Sequence, residues 1–95
     1  MKKAKNLKLE SLFETILTLK NTIECENFLT DLCTKSELKC MSERWEALKL
    51  IEQGLPYREI AKKTGTSTAT VTRIAHWLNN GTGGYKMALD RAKLR

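Results

Sequence analysis

The chain has one histidine and three cysteines, and it has no apolar run longer than a few residues. Each shortage excludes a class of function. His76 stands alone, with no paired carboxylates at a cleft-like spacing and no metal-ligand spacing. General acid–base, nucleophilic and metal-assisted chemistry therefore lack their usual groups, and the expectation is a protein that is not an enzyme. Cys25, Cys33 and Cys40 are odd in number and contain no CxxC pair, which argues against a disulfide framework and against a zinc site. They read as small apolar fillers at buried helix positions in a reducing compartment. The short apolar runs cannot span a bilayer, and the first residues lack the pattern of a signal peptide. A cytoplasmic protein with no membrane partner is expected. The one glycine-rich stretch, Asn79 to Gly84, lacks the Lys-Ser/Thr ending of a phosphate loop and reads as a helix stop followed by a flexible joint.

What is present is basic and patterned for helices. The 95 residues make one domain and carry 17 Lys and Arg against 11 Asp and Glu, a net charge of +6. That balance suits a polyanionic partner. The excess sits mainly in the second half, where Arg58, Lys62, Lys63, Arg73, Lys86, Arg91, Lys93 and Arg95 face only Glu59 and Asp90.

Tyr57 to Leu78 is the stretch around which the rest is organised. Ile60 and Ala61 form the apolar pair of a first helix, with Arg58, Glu59, Lys62 and Lys63 on its other faces. Gly65 supplies the left-handed residue of a sharp turn. Thr66 or Ser67 caps the next helix, and Val71, Ile74 and Leu78 recur at steps of three and four along one apolar face. A small residue, a turn glycine four later and branched apolar residues six and nine beyond it make the pattern of a helix-turn-helix. With Val71 and Ile74 inward, Ser67, Thr68, Ala69, Thr72, Arg73 and His76 face outward. These side chains suit close approach to base edges. Arg73 would pair with guanine, Thr68 and Ala69 would meet a thymine methyl, and Ser67 or Thr72 would bond a phosphate or base.

The flanking segments read as platform and closure. Leu7 to Leu19 and Ile23 to Cys33 predict two helices with apolar stripes wider than a small domain covers by itself, so a second subunit is expected over them. TKSE at Thr34 to Glu37 is a capping box. The helix it opens runs to Gln53 with Leu38, Met41, Trp45, Leu48 and Leu50 or Ile51 inward, and Gly54 stops it. Pro56 restarts the chain. Tyr85 to Leu94 predicts a last helix with Met87, Leu89 and Ala92 available for packing. Met1 to Lys5 is a basic tail.

These features resemble the Trp repressor family, most closely its related proteins from Gram-positive bacteria. The pattern Arg58-Glu59, Gly65 and Ala69-Thr70-Val71-Thr72-Arg73 carries the resemblance, which covers most of Thr34 to Leu89. It implies an all-α, six-helix fold forming an intertwined homodimer: a single domain over 1–95, with dimerisation helices in 6–54, the helix-turn-helix in 56–79 and a carboxy-terminal helix in 84–95. It also implies a palindromic operator in double-stranded DNA, with half-sites about one helical turn apart. Carried over by position, Arg58 contacts guanine directly, and Thr68, Ala69, Thr72 and Arg73 form the reading face. Arg44 and Arg73 match the two arginines that hold the L-tryptophan corepressor.

Two departures bear on that ligand. Ile74 replaces a glycine whose bareness leaves room for the indole, and Trp77 replaces a small serine. The expectation is an effector pocket, at Arg44, Arg73, Ile74 and Trp77, that is filled or altered from within, and a protein that acts without L-tryptophan. The expected function is sequence-specific transcriptional regulation, as a repressor, with Lys62, Lys63 and Lys86 on phosphates. The alternative is a recognition subunit of a transposition system, because YREIAKKTG with a Trp-Leu ending also looks like the turn motif of insertion-sequence transposases.

Overall fold

Side-chain caps fix where the helices begin. In the computed structural model, which describes residues 6–93, Asn6 accepts the backbone N–H groups of Lys8 and Leu9 at 3.1 Å and opens α1 (Leu7–Ile16). Asn21 accepts from Glu24 at 2.9 Å to open α2 (Thr22–Leu32). The expected capping box is formed in both directions: Glu37 N–H donates to Thr34 Oγ1 at 3.0 Å and Thr34 N–H donates to Glu37 Oε1 at 2.7 Å. It starts α3 (Lys35–Glu52). Then come α4 (Tyr57–Thr64), α5 (Thr68–Asn80) and α6 (Gly84–Lys93). Among the described residues the fold is all-α, with six helices and no strand. None of these helices is long and apolar enough to cross a membrane. Residues 1–5 and 94–95, which include the basic tail and the end of the last expected helix, lie outside the described residues.

Helix α1 is shorter than its apolar pattern. It ends at Ile16, and the Thr15 carbonyl accepts both the Thr18 hydroxyl at 2.6 Å and the Thr18 N–H at 3.0 Å. Leu19 N–H bonds Ile16 at 3.1 Å. Such i to i−3 bonds tighten and terminate a helix. Helix α3 ends as expected. Leu55 N–H bonds the Leu50 carbonyl and Gly54 N–H bonds the Ile51 carbonyl, the paired bonds of a Schellman stop.

The chain divides into two units between Leu38 and Lys39. In the first, no described residue is buried. Leu7, Leu9, Phe13, Ile16, Leu17, Ile23 and Leu32 are exposed, while Leu12, Leu19, Cys25, Phe28, Leu29 and Cys33 are half-buried. In the second, Ala47, Leu48, Ile60, Val71, Ile74 and Leu89 form a core, with Trp45, Leu50, Ile51, Leu55, Ala61, Leu78 and Tyr85 packed on it. Full burial of one such aliphatic side chain contributes about 1.5–3 kcal/mol. This core holds α4 and α5 against α3 and α6.

Three expectations about individual side chains need correction. Met41 and Met87 are exposed, at 40% and 48%, and Ala47 takes the inward place on α3. The cysteines are not buried fillers in the chain: Cys25 and Cys33 are half-buried and Cys40 is exposed. Helical spacing gave the cysteines and Met41 their inward assignment, but on α3 Ala47 and Leu48 took the burial, and α2 buries no residue.

Candidate nucleic-acid interface

The turn between α4 and α5 is built from backbone freedom and hydroxyl chemistry. Gly65 has φ +77°, in the left-handed region. A Cβ there would have room, since Glu43 Oε2 is the nearest atom at 3.7 Å, so conformation rather than space selects glycine. Thr64 donates its hydroxyl to the Ile60 carbonyl at 2.8 Å, which leaves Thr66 as donor in the 3.0 Å contact between the two threonine hydroxyls. Ser67 then caps α5, accepting the Thr70 N–H at 3.1 Å.

This turn sets the rotation of α5. Val71, Ile74 and Ala75 are buried, at 0%, 4% and 6%. Ser67, Thr68, Ala69, Thr72, Arg73 and His76 are all exposed, as the spacing predicts. The Arg58 and Lys62 side chains, one turn apart on α4, share a groove with Thr68 at the start of α5, along with Pro56 and Glu59. Neither Arg58, Lys62 nor Arg73 is ion-paired among the described residues. Lys63 is placed differently. It lines a depression with Ser42, Glu43 and Glu46 of α3, so it does not share the Arg58–Lys62–Thr68 groove. His76 stacks edge-on against Trp77 with ring centroids 5.5 Å apart, and the Asn80 amide donates to its carbonyl at 3.0 Å.

A cavity of about 510 Å³ opens beside the reading helix. It is lined by Arg44, Arg73, Ile74 and Trp77, the four positions marked in the sequence, and also by Cys40, Glu43, Thr66, Thr70 and Tyr85. The steps Thr66, Thr70, Arg73 and Trp77 of four, three and four residues were the overlooked signal for this wall. The expected filling does not describe the geometry. Ile74 turns into the core, and Trp77, 54% exposed, stands as a wall rather than a plug. A hydrogen bond to Glu43 and the charge of that carboxylate raise the Lys39 pKa above its ordinary value. Two arginines, Arg44 and Arg73, thus line the cavity against one carboxylate, Glu43, which is itself paired with Lys39.

Comparison with known proteins matches this arrangement. The family model described as Trp repressor protein covers residues 7–93. The chain belongs to the Trp repressor family. It is 42% identical over 91 residues to the uncharacterized protein YerC of Bacillus subtilis, covering 96% of this chain and 88% of that one. It is 39% identical over 87 residues to the Trp operon repressor homolog of Chlamydia trachomatis serovar D, covering 86% and 93%. The crystal structure of a TrpR-like protein from Eubacterium eligens superposes with a TM-score of 0.89 at 39% identity, over 94% of this chain and 92% of that one. The chain is thus a Trp repressor-like transcription regulator with an all-α fold, and the resemblance to the Gram-positive relatives read from the sequence holds.

Proposed function

We propose that this Trp repressor-family regulator is a homodimeric repressor that occupies a two-fold symmetric operator in double-stranded DNA and acts without L-tryptophan. The observation that carries the proposal is the unpaired, exposed set Arg58, Lys62, Thr68 and Arg73 on a helix pair locked by its own core. Arg73 reads guanine, Arg58 reaches a neighbouring base, and Lys62 holds a phosphate. Lys63 and Lys86 add to the positive field.

Dimer formation is supported by the first unit, whose seven large exposed apolar side chains have no cover within that unit. Exposed large apolar side chains in that number point to cover by another subunit. Independence from L-tryptophan is supported by Ile74, which closes the α4–α5 core with a side chain of the protein's own. The match of the Trp repressor model over residues 7–93 favours this reading over a transposition subunit.

Footprinting on genomic DNA, followed by mobility-shift titration across salt, tests the proposal. Protection of two half-sites one helical turn apart, with affinity falling steeply as salt rises, is expected. Binding that shows no salt slope removes the phosphate contacts and the proposal with them.

A further inference from the structure

We infer that α5 recognises C5-methyl groups in the major groove through a methyl pair, Ala69 and the Cγ2 of Thr72, set beside Arg73; this rests on the DNA-binding reading above. The argument follows the hydroxyl hydrogens. Ser67 donates its hydroxyl to Thr70 Oγ1 at 3.0 Å and accepts the Thr70 N–H, so it serves the helix start. Thr72 donates its hydroxyl to the Thr68 carbonyl at 2.9 Å. Neither hydroxyl has a hydrogen left to donate, so the phosphate bond expected from sequence is not available to either, and each oxygen can only accept. An Oγ1 turned back onto the carbonyl of the preceding turn leaves the other branch of a staggered Cβ, the methyl, on the exposed side. Ala69 lies three residues earlier on the same exposed face and offers only a methyl.

The rest of the face narrows what can be read. Helix α5 contains no carboxylate to accept from cytosine N4. The Asn79 and Asn80 amides each spend an N–H on the Ala75 and His76 carbonyls at 3.0 Å, and both residues lie at the carboxy-terminal end of α5, away from Ala69 and Thr72. Arg73 remains for guanine. Two adjacent methyls remain for the one apolar feature of the major groove, the C5-methyl of thymine or of 5-methylcytosine.

The test uses the full-length protein on its footprinted site, with each thymine replaced in turn by deoxyuridine. At one position per half-site, loss of the methyl weakens binding roughly fourfold, as expected for one buried methyl. Thr72→Ser keeps the bond to the Thr68 carbonyl and lacks one methyl of the pair, so its preference for thymine over uracil is smaller than that of the wild type; an undiminished preference removes Thr72 from the pair. Replacing that base pair by C·G weakens binding, and 5-methylcytosine restores a roughly fourfold share of the loss. Cytosine and 5-methylcytosine binding alike would count against methyl recognition. Equal affinity for every uracil-substituted site overturns the inference while leaving sequence-specific binding, and so the function above, in place. Absence of any sequence-specific binding would remove both.

Discussion

Gly81 and the carbonyl oxygen of Trp77 meet so closely that no side chain fits between them. A Cβ on Gly81 would lie 2.5 Å from that oxygen. The same carbonyl accepts the Gly81 N–H at 2.8 Å, closing the carboxy-terminal turn of α5. The glycine therefore terminates the reading helix and lets the chain turn into α6.

Gly81→Ala must break that bond or shift the backbone, and it is expected to destabilise the protein by about 1–3 kcal/mol. Gly84 is the control. It opens α6, has no positive φ, and a Cβ there meets only Thr82 Oγ1 at 3.7 Å. Gly84→Ala is expected to stabilise by about 0.4–1 kcal/mol, because it narrows the unfolded ensemble. Urea unfolding of the two variants checks the contrast; equal destabilisation would mean that the close approach is not what selects Gly81.

Arg73 and Lys62 differ in what they contribute to DNA binding. Arg73 projects from the reading face, and Lys62 lines the groove at the start of α5. Arg73→Ala is expected to lower affinity for the operator by about 1–3 kcal/mol and to relax the choice at one base pair. Lys62→Ala weakens all sequences alike and reduces the slope of log affinity against log salt by about one. Shift assays on operator and scrambled DNA at several salt concentrations separate the two. Normal operator binding by Arg73→Ala would remove it from the reading face.

The parts of this molecule governed by local chemistry were legible in its sequence. The capping box at Thr34 and Glu37, the Gly65 turn and the inward Val71 and Ile74 depend on neighbours within a few residues, and each forms as expected. Ser67 and Thr72 were harder. Their type predicts a hydroxyl at the surface, but the direction of its hydrogen depends on the rotamer, which exposure does not reveal. Trp77 shows a different limit. A large aromatic three residues after Ile74 suggests a plug, yet α5 is rotated so that Trp77 lies outside the core. Met41 and Cys40 failed for the same reason: periodicity gives a face, not the width of the face that a partner element covers.

Phe13 is 56% exposed on α1, in a unit with no buried described residue, and it tests the dimer. Sedimentation equilibrium of the wild type should give twice the mass of the chain. Phe13→Asp places a charge where apolar contact is expected and should shift the equilibrium toward single chains, with loss of operator binding at nanomolar protein. A wild-type protein that sediments as one chain in dilute solution would overturn the paired-head arrangement on DNA.

Ile74 decides whether L-tryptophan matters. Its side chain is 4% exposed, yet it also lines the cavity between Arg44 and Arg73. The position therefore serves two neighbourhoods, and the core holds it in place whether or not the cavity is occupied. A ligand at a hundred times its Kd stabilises a protein by about 2.7 kcal/mol, which thermal unfolding readily detects. Millimolar L-tryptophan is expected to leave both the unfolding midpoint and the operator affinity of the wild type unchanged. Ile74→Ala should cost about 2–5 kcal/mol by opening a void in the core. Calorimetric titration gives the direct reading. Micromolar binding of L-tryptophan to the wild type, abolished by Arg44→Ala, would show that the cavity is a working corepressor site and that Ile74 does not replace the ligand.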